Sequence, residues 1–185
     1  YDPTHIYEAG LDFGQTNDFT AMPVIDKTAN VQVDLLHVRK LPWAEQRRRI
    51  AQTYKKWNCR FVRAERNSIG GPNIEALQAD GLRVIPFDTT NASKAAIMES
   101  LYESIHTGGL KLQDHAVQRH EMNTYVATQT SSGVWRLAAE GDGHDDTVIG
   151  LALAAMPGLP KMTETQPTQD SKFRDAEDFG GWKRY

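Results

Sequence analysis

Four acidic residues stand where acids are hardest to explain. Asp12 follows an apolar run in GLDFGQTNDFTA, Glu65 ends the apolar part of CRFVRAERNSIGG, and Asp145 and Asp146 open the apolar stretch of GDGHDDTVIGLALAAM. A charge inside an apolar run is costly to bury unless something positive compensates it. Acids at three such places, on elements that can converge, point to a carboxylate cluster holding divalent cations. Carboxylate oxygens suit Mg²⁺ or Mn²⁺, which also bind phosphates. Close carboxylates repel, so a metal must neutralise them at neutral pH. Two ions roughly 3.5–4 Å apart can activate a water and stabilise the leaving oxygen of a phosphodiester, which makes phosphodiester hydrolysis the natural reaction class. Helix capping explains one of the paired aspartates, because an acid in a first turn is favoured by the helix dipole. It does not explain two acids and His144 before a helix this apolar. His144 itself stands open between an outer ligand or proton carrier and an ordinary loop histidine.

The elements that must position these residues follow from periodicity. Residues 6–13 read as a buried strand broken by Gly14. Residues 19–26 and 31–41 read as two more strands joined through Lys27–Asn30, with Pro23 favouring an edge position or a bulge in the second. From Trp43 to Trp57, Trp43, Ile50, Tyr54 and Trp57 recur at helical spacing. A strand over 59–65, a short helix over 74–80, a strand over 83–88 and a helix from Ser93 to His106 come next, the last stopped by Gly108–Gly109. Residues 110–113 read as extended and 115–125 as helical. Residues 127–140 read as a hairpin turning at Ser131–Gly133, in which Trp135 and Arg136 either border a groove or join the core. The helix from Asp145 to Met156 is apolar nearly all round and is expected to be buried. This order implies an α/β fold with a mixed sheet, an antiparallel unit followed by parallel crossovers. If the first and fourth strands are parallel neighbours, Asp12 and Glu65 lie side by side at the strand ends, where open α/β sheets carry ligands.

A chain of 185 residues with 39% hydrophobic content has room for one domain with a full core. We expect residues 1–160 to form it and residues 161–185, polar and poor in aliphatics, to be a flexible tail. Phe179, Trp182 and Tyr185 would suit docking if the tail is more than a disordered end. No apolar stretch approaches the roughly 18 residues of a membrane span, and no signal peptide is visible. The chain opens on Tyr1 rather than Met, as a segment of a longer protein or a processed one would. One cysteine, Cys59, excludes an internal disulfide and reads as a buried structural thiol. Net charge is −3, yet the stretch from Arg39 to Arg66 holds ten lysines and arginines against Glu45 and Glu65, about +8. Such a stretch can hold a polyanion. Arg48, Arg49, Lys55, Lys56 and Arg66 are the candidates for DNA contact, against the alternative that the helix face is merely solvated. Lys94 opens a helix and either approaches a phosphate or is a solvated lysine.

The strand-end Asp12 in GLDFGQTNDFTA, Glu65 in RAERN, GHDDTVIGLALA and SKAAIMESLYESIHTGGLKL together resemble the nuclease domain of large terminase subunits of tailed phages, over about residues 5–157. That resemblance implies a ribonuclease H-like fold of the resolvase and terminase type, with a mixed central sheet flanked by helices. It implies a Mg²⁺- or Mn²⁺-dependent endonuclease with two ions that cuts concatemeric double-stranded DNA during genome packaging. Asp12, Glu65, Asp145 and Asp146 would be the catalytic ligands; which of the paired aspartates is the inner one stays open, Asp146 being favoured, with Asp145 helping a second ion. Members of the family differ at the place of Glu65, some carrying aspartate and others glutamate. A complete large terminase also carries an ATPase motor with a Gly-Lys-Ser/Thr phosphate loop. GxxxxGK[ST] does not occur here, so the resemblance implies the C-terminal nuclease part alone. Its partners would be double-stranded DNA, the terminase ATPase domain, the portal or procapsid and the small terminase subunit, in the host bacterial cytoplasm and away from any membrane.

Three other readings share some of these features. DFGQTN has the look of an actin-like or sugar-kinase phosphate loop, but such proteins need two related domains. A junction resolvase or transposase-type nuclease shares the acidic cluster. A DNA- or portal-binding module with a dead site would bind without cutting.

Overall fold

A computed structural model describes residues 1–15, 18–129, 135–139 and 143–157, with backbone only for 126–129 and 135–139. The expected turn at Ser131–Gly133, the side chains of Trp135 and Arg136, and the tail 161–185 lie outside the described residues.

The first three strands are β1 (Tyr7–Leu11), β2 (Thr20–Asp26) and β3 (Val31–Val38). Helix α1 (Trp43–Lys56) leads to β4 (Phe61–Glu65), α2 (Gly70–Ala79) and β5 (Val84–Phe87). Helices α3 (Asn91–His106) and α4 (Ala116–Thr124), strands β6 (Tyr125–Gln129) and β7 (Trp135–Ala139) and helix α5 (Asp146–Ala155) follow. The main sheet runs β3-β2-β1-β4-β5, and β6 and β7 form a separate antiparallel pair. Strand β1 is antiparallel to β2 and parallel to β4, as the order of elements requires.

Alternation along β1 divides its side chains between two cores. Tyr7, Ala9, Leu11 and Phe13 join Ile50 of α1 and Ile74 and Leu77 of α2 on one face. On the other face α5 packs with Ile97 and Leu101 of α3 and Ile25 of β2. Helix α5 is buried almost throughout, which accounts for its all-round apolarity. It sits on the sheet at glycine contacts. A Cβ on Gly10 would meet the Gly150 carbonyl at 2.0 Å, and one on Gly150 would meet the Pro23 ring at 2.9 Å. No side chain larger than hydrogen fits at Gly10.

Several boundaries differ from expectation for local reasons. Pro23 lies in an interior strand rather than at an edge, beside the irregularity that the alternative of a bulge anticipates. Pairing of β1 with β2 stops at Ala9–Val24 and resumes at Asp12–Ala21, so the missing N–H costs no ladder bond there, and the β2–β3 register shifts between Val24 and Ile25. Helix α3 begins at Asn91 because Thr90 and Ser93 form a reciprocal capping box. Helix α2 begins at Gly70 because Asn67 Oδ1 accepts the N–H groups of Ile69 and Gly70. Tyr125, expected to end α4, opens β6. Cys59 is buried, and burial pushes its thiol up to about 12. Among the described residues no helix is long and apolar enough to cross a membrane.

Candidate active site

Asp12 extends β1 by one residue through paired backbone bonds with Ala21, both 3.0 Å. Glu65 ends β4. The parallel register pairs Leu11 with Ala64, so the next step brings Asp12 beside Glu65, on the face that carries α5. Helix α5 runs antiparallel to β1, which sets Asp145 and Asp146 over the same sheet edge. Asp12, Asp18, Glu65, His144, Asp145 and Asp146 line one cleft of about 230 Å³, together with Phe13, Asn67 and Gly143. Its walls are almost entirely polar.

Asp12 is 7% exposed and Asp146 6%. No lysine or arginine among the described residues pairs with Asp12, Glu65 or Asp146; Lys94 Nζ reaches Asp145 Oδ2 at 3.0 Å. Burial, then the like charge and hydrogen bonding of Glu65, hold the Asp12 carboxyl well above the ordinary aspartate range. Burial pushes Asp146 up to about 6; the Phe19 N–H donated to its Oδ2 at 3.1 Å opposes that rise, and Glu121 adds to it. His144 Nδ1 stands 3.6 Å from both Asp146 Oδ2 and Asp18 Oδ1. Asn67 Nδ2 donates to Glu65 Oε2 at 3.3 Å.

The donor set fits a hard divalent cation: carboxylate oxygens from three elements, of which only Asp145 has a lysine or arginine beside it among the described residues. As the side chains stand, no three acidic, histidine or cysteine residues among those described already meet a metal-holding geometry. Mg²⁺ takes few protein ligands because it keeps several waters. Asp145 occupies the N-cap position of α5, yet its side chain makes no capping bond. Capping therefore does not account for the aspartate pair.

The four carboxylates, His144 and Lys94 thus come together. Arg48, Arg49, Lys55 and Lys56 do not line the cleft. Arg48 and Arg49 both pair with Glu45, and Lys56 pairs with Asp34. Arg66, next to Glu65, pairs with Asp88 through two hydrogen bonds of 2.8 and 2.5 Å. Asp18, Phe19, Asn67 and Glu121 also belong to this neighbourhood without standing out in the sequence. Only Asp18 and Asn67 carried a signal, as polar residues within the motif segments that hold Asp12 and Glu65.

A mixed sheet with acids at two parallel strand ends and at the start of a buried helix defines a ribonuclease H-like protein. Residues 9–156 match the terminase RNaseH-like domain family, and the chain belongs to it. The terminase large subunit of Thermus virus P23-45 is 28% identical over 155 residues, 83% of this chain and 32% of the relative. The chain thus spans about a third of the length of the curated relatives it matches. The large terminase nuclease of thermophilic phage G20c, solved with bound magnesium, is 27% identical with a TM-score of 0.79, covering 84% of this chain and 82% of that one. The large terminase nuclease domain of Thermus phage P74-26 is 28% identical with a TM-score of 0.75, covering 83% and 80%.

Proposed function

We propose that the chain is the nuclease module of a phage large terminase subunit, a Mg²⁺- or Mn²⁺-dependent endonuclease that cuts concatemeric double-stranded DNA during genome packaging. The observation that carries this reading is the convergence of Asp12, Glu65, Asp145 and Asp146, with Lys94 against Asp145 the one lysine or arginine pairing with them among the described residues, in one polar cleft of a terminase-family fold. The magnesium bound by the G20c nuclease supports the choice of ion.

In this reading Asp12 and Glu65 hold the metal from the sheet, and Asp146, with Asp145 beside it, holds it from α5. Ions bound there supply Lewis-acid activation of water and stabilisation of the leaving oxygen. The Phe19 N–H fixes the Asp146 carboxylate. Lys94 neutralises Asp145 while DNA is absent and offers a cation to a phosphate when it arrives. His144, within reach of Asp146, serves as an outer ligand or carries a proton. Arg66 at the rim, and Arg48, Arg49, Lys55 and Lys56 on α1, contact the DNA backbone. Residues 1–160 make the catalytic domain and 161–185 a tail. The ATPase domain, the portal or procapsid and the small subunit are the partners, in the host cytoplasm.

The test is supercoiled plasmid with Mn²⁺, beside a chelator control and the Asp12→Asn variant. Nicking and linearisation that vanish in both controls are the expected result. Intact plasmid in Mn²⁺ and Mg²⁺ alike would overturn the reading in favour of a binding module.

A further inference from the structure

The first turn of α5 poses a local question. Asp145 is its N-cap residue and Asp146 its first helical residue. An N-cap aspartate ordinarily turns its carboxylate inward to accept the N–H two or three residues on. Here the acceptor comes from another helix. Glu121 of α4 accepts the Thr147 N–H at 2.8 Å and the Thr147 hydroxyl at 2.5 Å through Oε2. Glu121 is 2% exposed and Thr147 fully buried. No cation pairs with Glu121 among the described residues, and its Oε1 is buried without a partner there. A carboxylate this buried is held by what the helix N-terminus offers it, namely the N–H, the hydroxyl and the positive end of the dipole.

We propose that Glu121 is a positioning residue: it caps α5 from outside, so that neither Asp145 nor Asp146 has to, and both carboxylates stay turned toward the cleft. The assignment rests on the metal-centre reading above. Without Glu121 the Thr147 N–H is a buried donor in search of an acceptor, and the nearest candidate by chain geometry is the Asp145 carboxylate. That carboxylate would swing inward and leave the cleft. Glu121 therefore acts on the metal through the aspartates, not by touching it.

The test is Mn²⁺ titration of the whole chain by calorimetry, for the wild type, Glu121→Gln and Glu121→Met. Gln keeps an acceptor for the Thr147 N–H, whereas Met has nearly the same volume and none. Glu121→Met should bind Mn²⁺ roughly tenfold more weakly, at the low end for loss of a group that orients metal ligands, and Glu121→Gln within about threefold of wild type. Plasmid cutting by Glu121→Met should recover as Mn²⁺ is raised, which a general loss of packing would not allow. Should Glu121→Met fail to fold, Glu121→Asp takes its place, since it withdraws the acceptor by one carbon; it should bind more weakly than Glu121→Gln. Mn²⁺ affinity within about twofold of wild type for the variant lacking the acceptor would overturn the assignment, as would Glu121→Gln falling as far as Glu121→Met. No Mn²⁺ binding by the wild type would instead bring down the metal-centre reading, and this assignment with it.

Discussion

Helix α5 buries acids against the same sheet face at both of its ends, and the two ends are balanced in opposite ways. Under its C-terminal end lies Glu8, fully buried, with Arg60 hydrogen-bonded to it and Arg63 within 4.0 Å. The last carbonyls of α5 are met by cations as well. Lys27 Nζ donates to Ala155 O at 3.0 Å and Met156 O at 3.1 Å, and Arg63 donates to Leu153 O at 3.2 Å and Pro157 O at 2.6 Å. Cations at a helix C-terminus are favoured by its dipole. At the N-terminal end Asp12, four residues along the same strand face from Glu8, has no such partner among the described residues. A closed charge balance builds structure, whereas an open one is met by a bound proton or by a cation.

Removing one acid from each end separates the two ends most sharply. Asp12→Asn, Glu65→Gln and Asp146→Asn should each lower metal-dependent plasmid cutting by more than roughly 100-fold, the upper range for changes outside the ligand shell, while circular dichroism stays native. Full cutting by any two of them would end the claim that the open balance holds a metal. Glu8→Ala should do the reverse. Leaving Arg63 buried without its anion should cost about 3–5 kcal/mol in denaturant unfolding, as broken buried pairs do, and the molecules that remain folded should still cut. Loss of cutting without loss of stability would show that the two ends are not separable.

A smaller effect follows from pH. The Asp146 carboxyl titrates at about 6 in the folded chain, above the ordinary aspartate value of 3.8. The folded state therefore holds a proton that the unfolded state gives up. The stability this contributes is complete below about pH 4 and is lost as pH rises through about 6. In chelator, Asp146→Asn should thus gain on the wild type between pH 4 and 7, by roughly 1–3 kcal/mol in the neutral range. Mn²⁺ competes with the same proton, so the rise in melting temperature it gives the wild type should shrink as pH falls below about 6. A melting difference between the two proteins that is flat across this range would mean that Asp146 is ionised throughout and lacks the unbalanced surroundings described for it.

The contrast between the two ends was only half visible in the sequence. That Asp12 and Glu65 meet follows from strand order, because a first strand parallel to the fourth aligns their C-terminal ends. That Glu8 is balanced and Asp12 is not could not be read. Both are acids in YEAGLDF, and the arginines that decide the matter lie more than fifty residues on. Arg63 looks like part of a basic surface from Arg39 to Arg66, yet it is 4% exposed and serves a helix end. Glu121 sits in AVQRHEMNT like any acid on a solvated helix, and only the packing of α4 on α5 turns it inward. Hydrophobic periodicity places elements; the partners of buried charges are set by long-range contacts that leave no local trace.

The smallest expected effect concerns the cations away from the cleft. Four free cations on α1 contacting four phosphates would contribute about 3.6 to the slope of log affinity against log salt. Arg48 and Arg49 already share Glu45, and Lys56 is held by Asp34. Two anions stay beside the four cations, so the patch presents about two net charges to a polyanion. Neutralising Arg48, Arg49, Lys55 and Lys56 together should therefore lower the slope by about 2 in Ca²⁺-loaded, non-cutting binding assays. Arg66→Gln should lower it by about 1 at most, because Asp88 competes with the phosphate for the guanidinium. An unchanged slope in the fourfold variant would make α1 a solvated face and confine DNA contact to the rim near Arg66 and Lys94. A drop near 3.6 would mean that Glu45 and Asp34 release their cations when DNA binds, so that the charge balance on α1 opens on demand as the one around Asp12 stands open at rest.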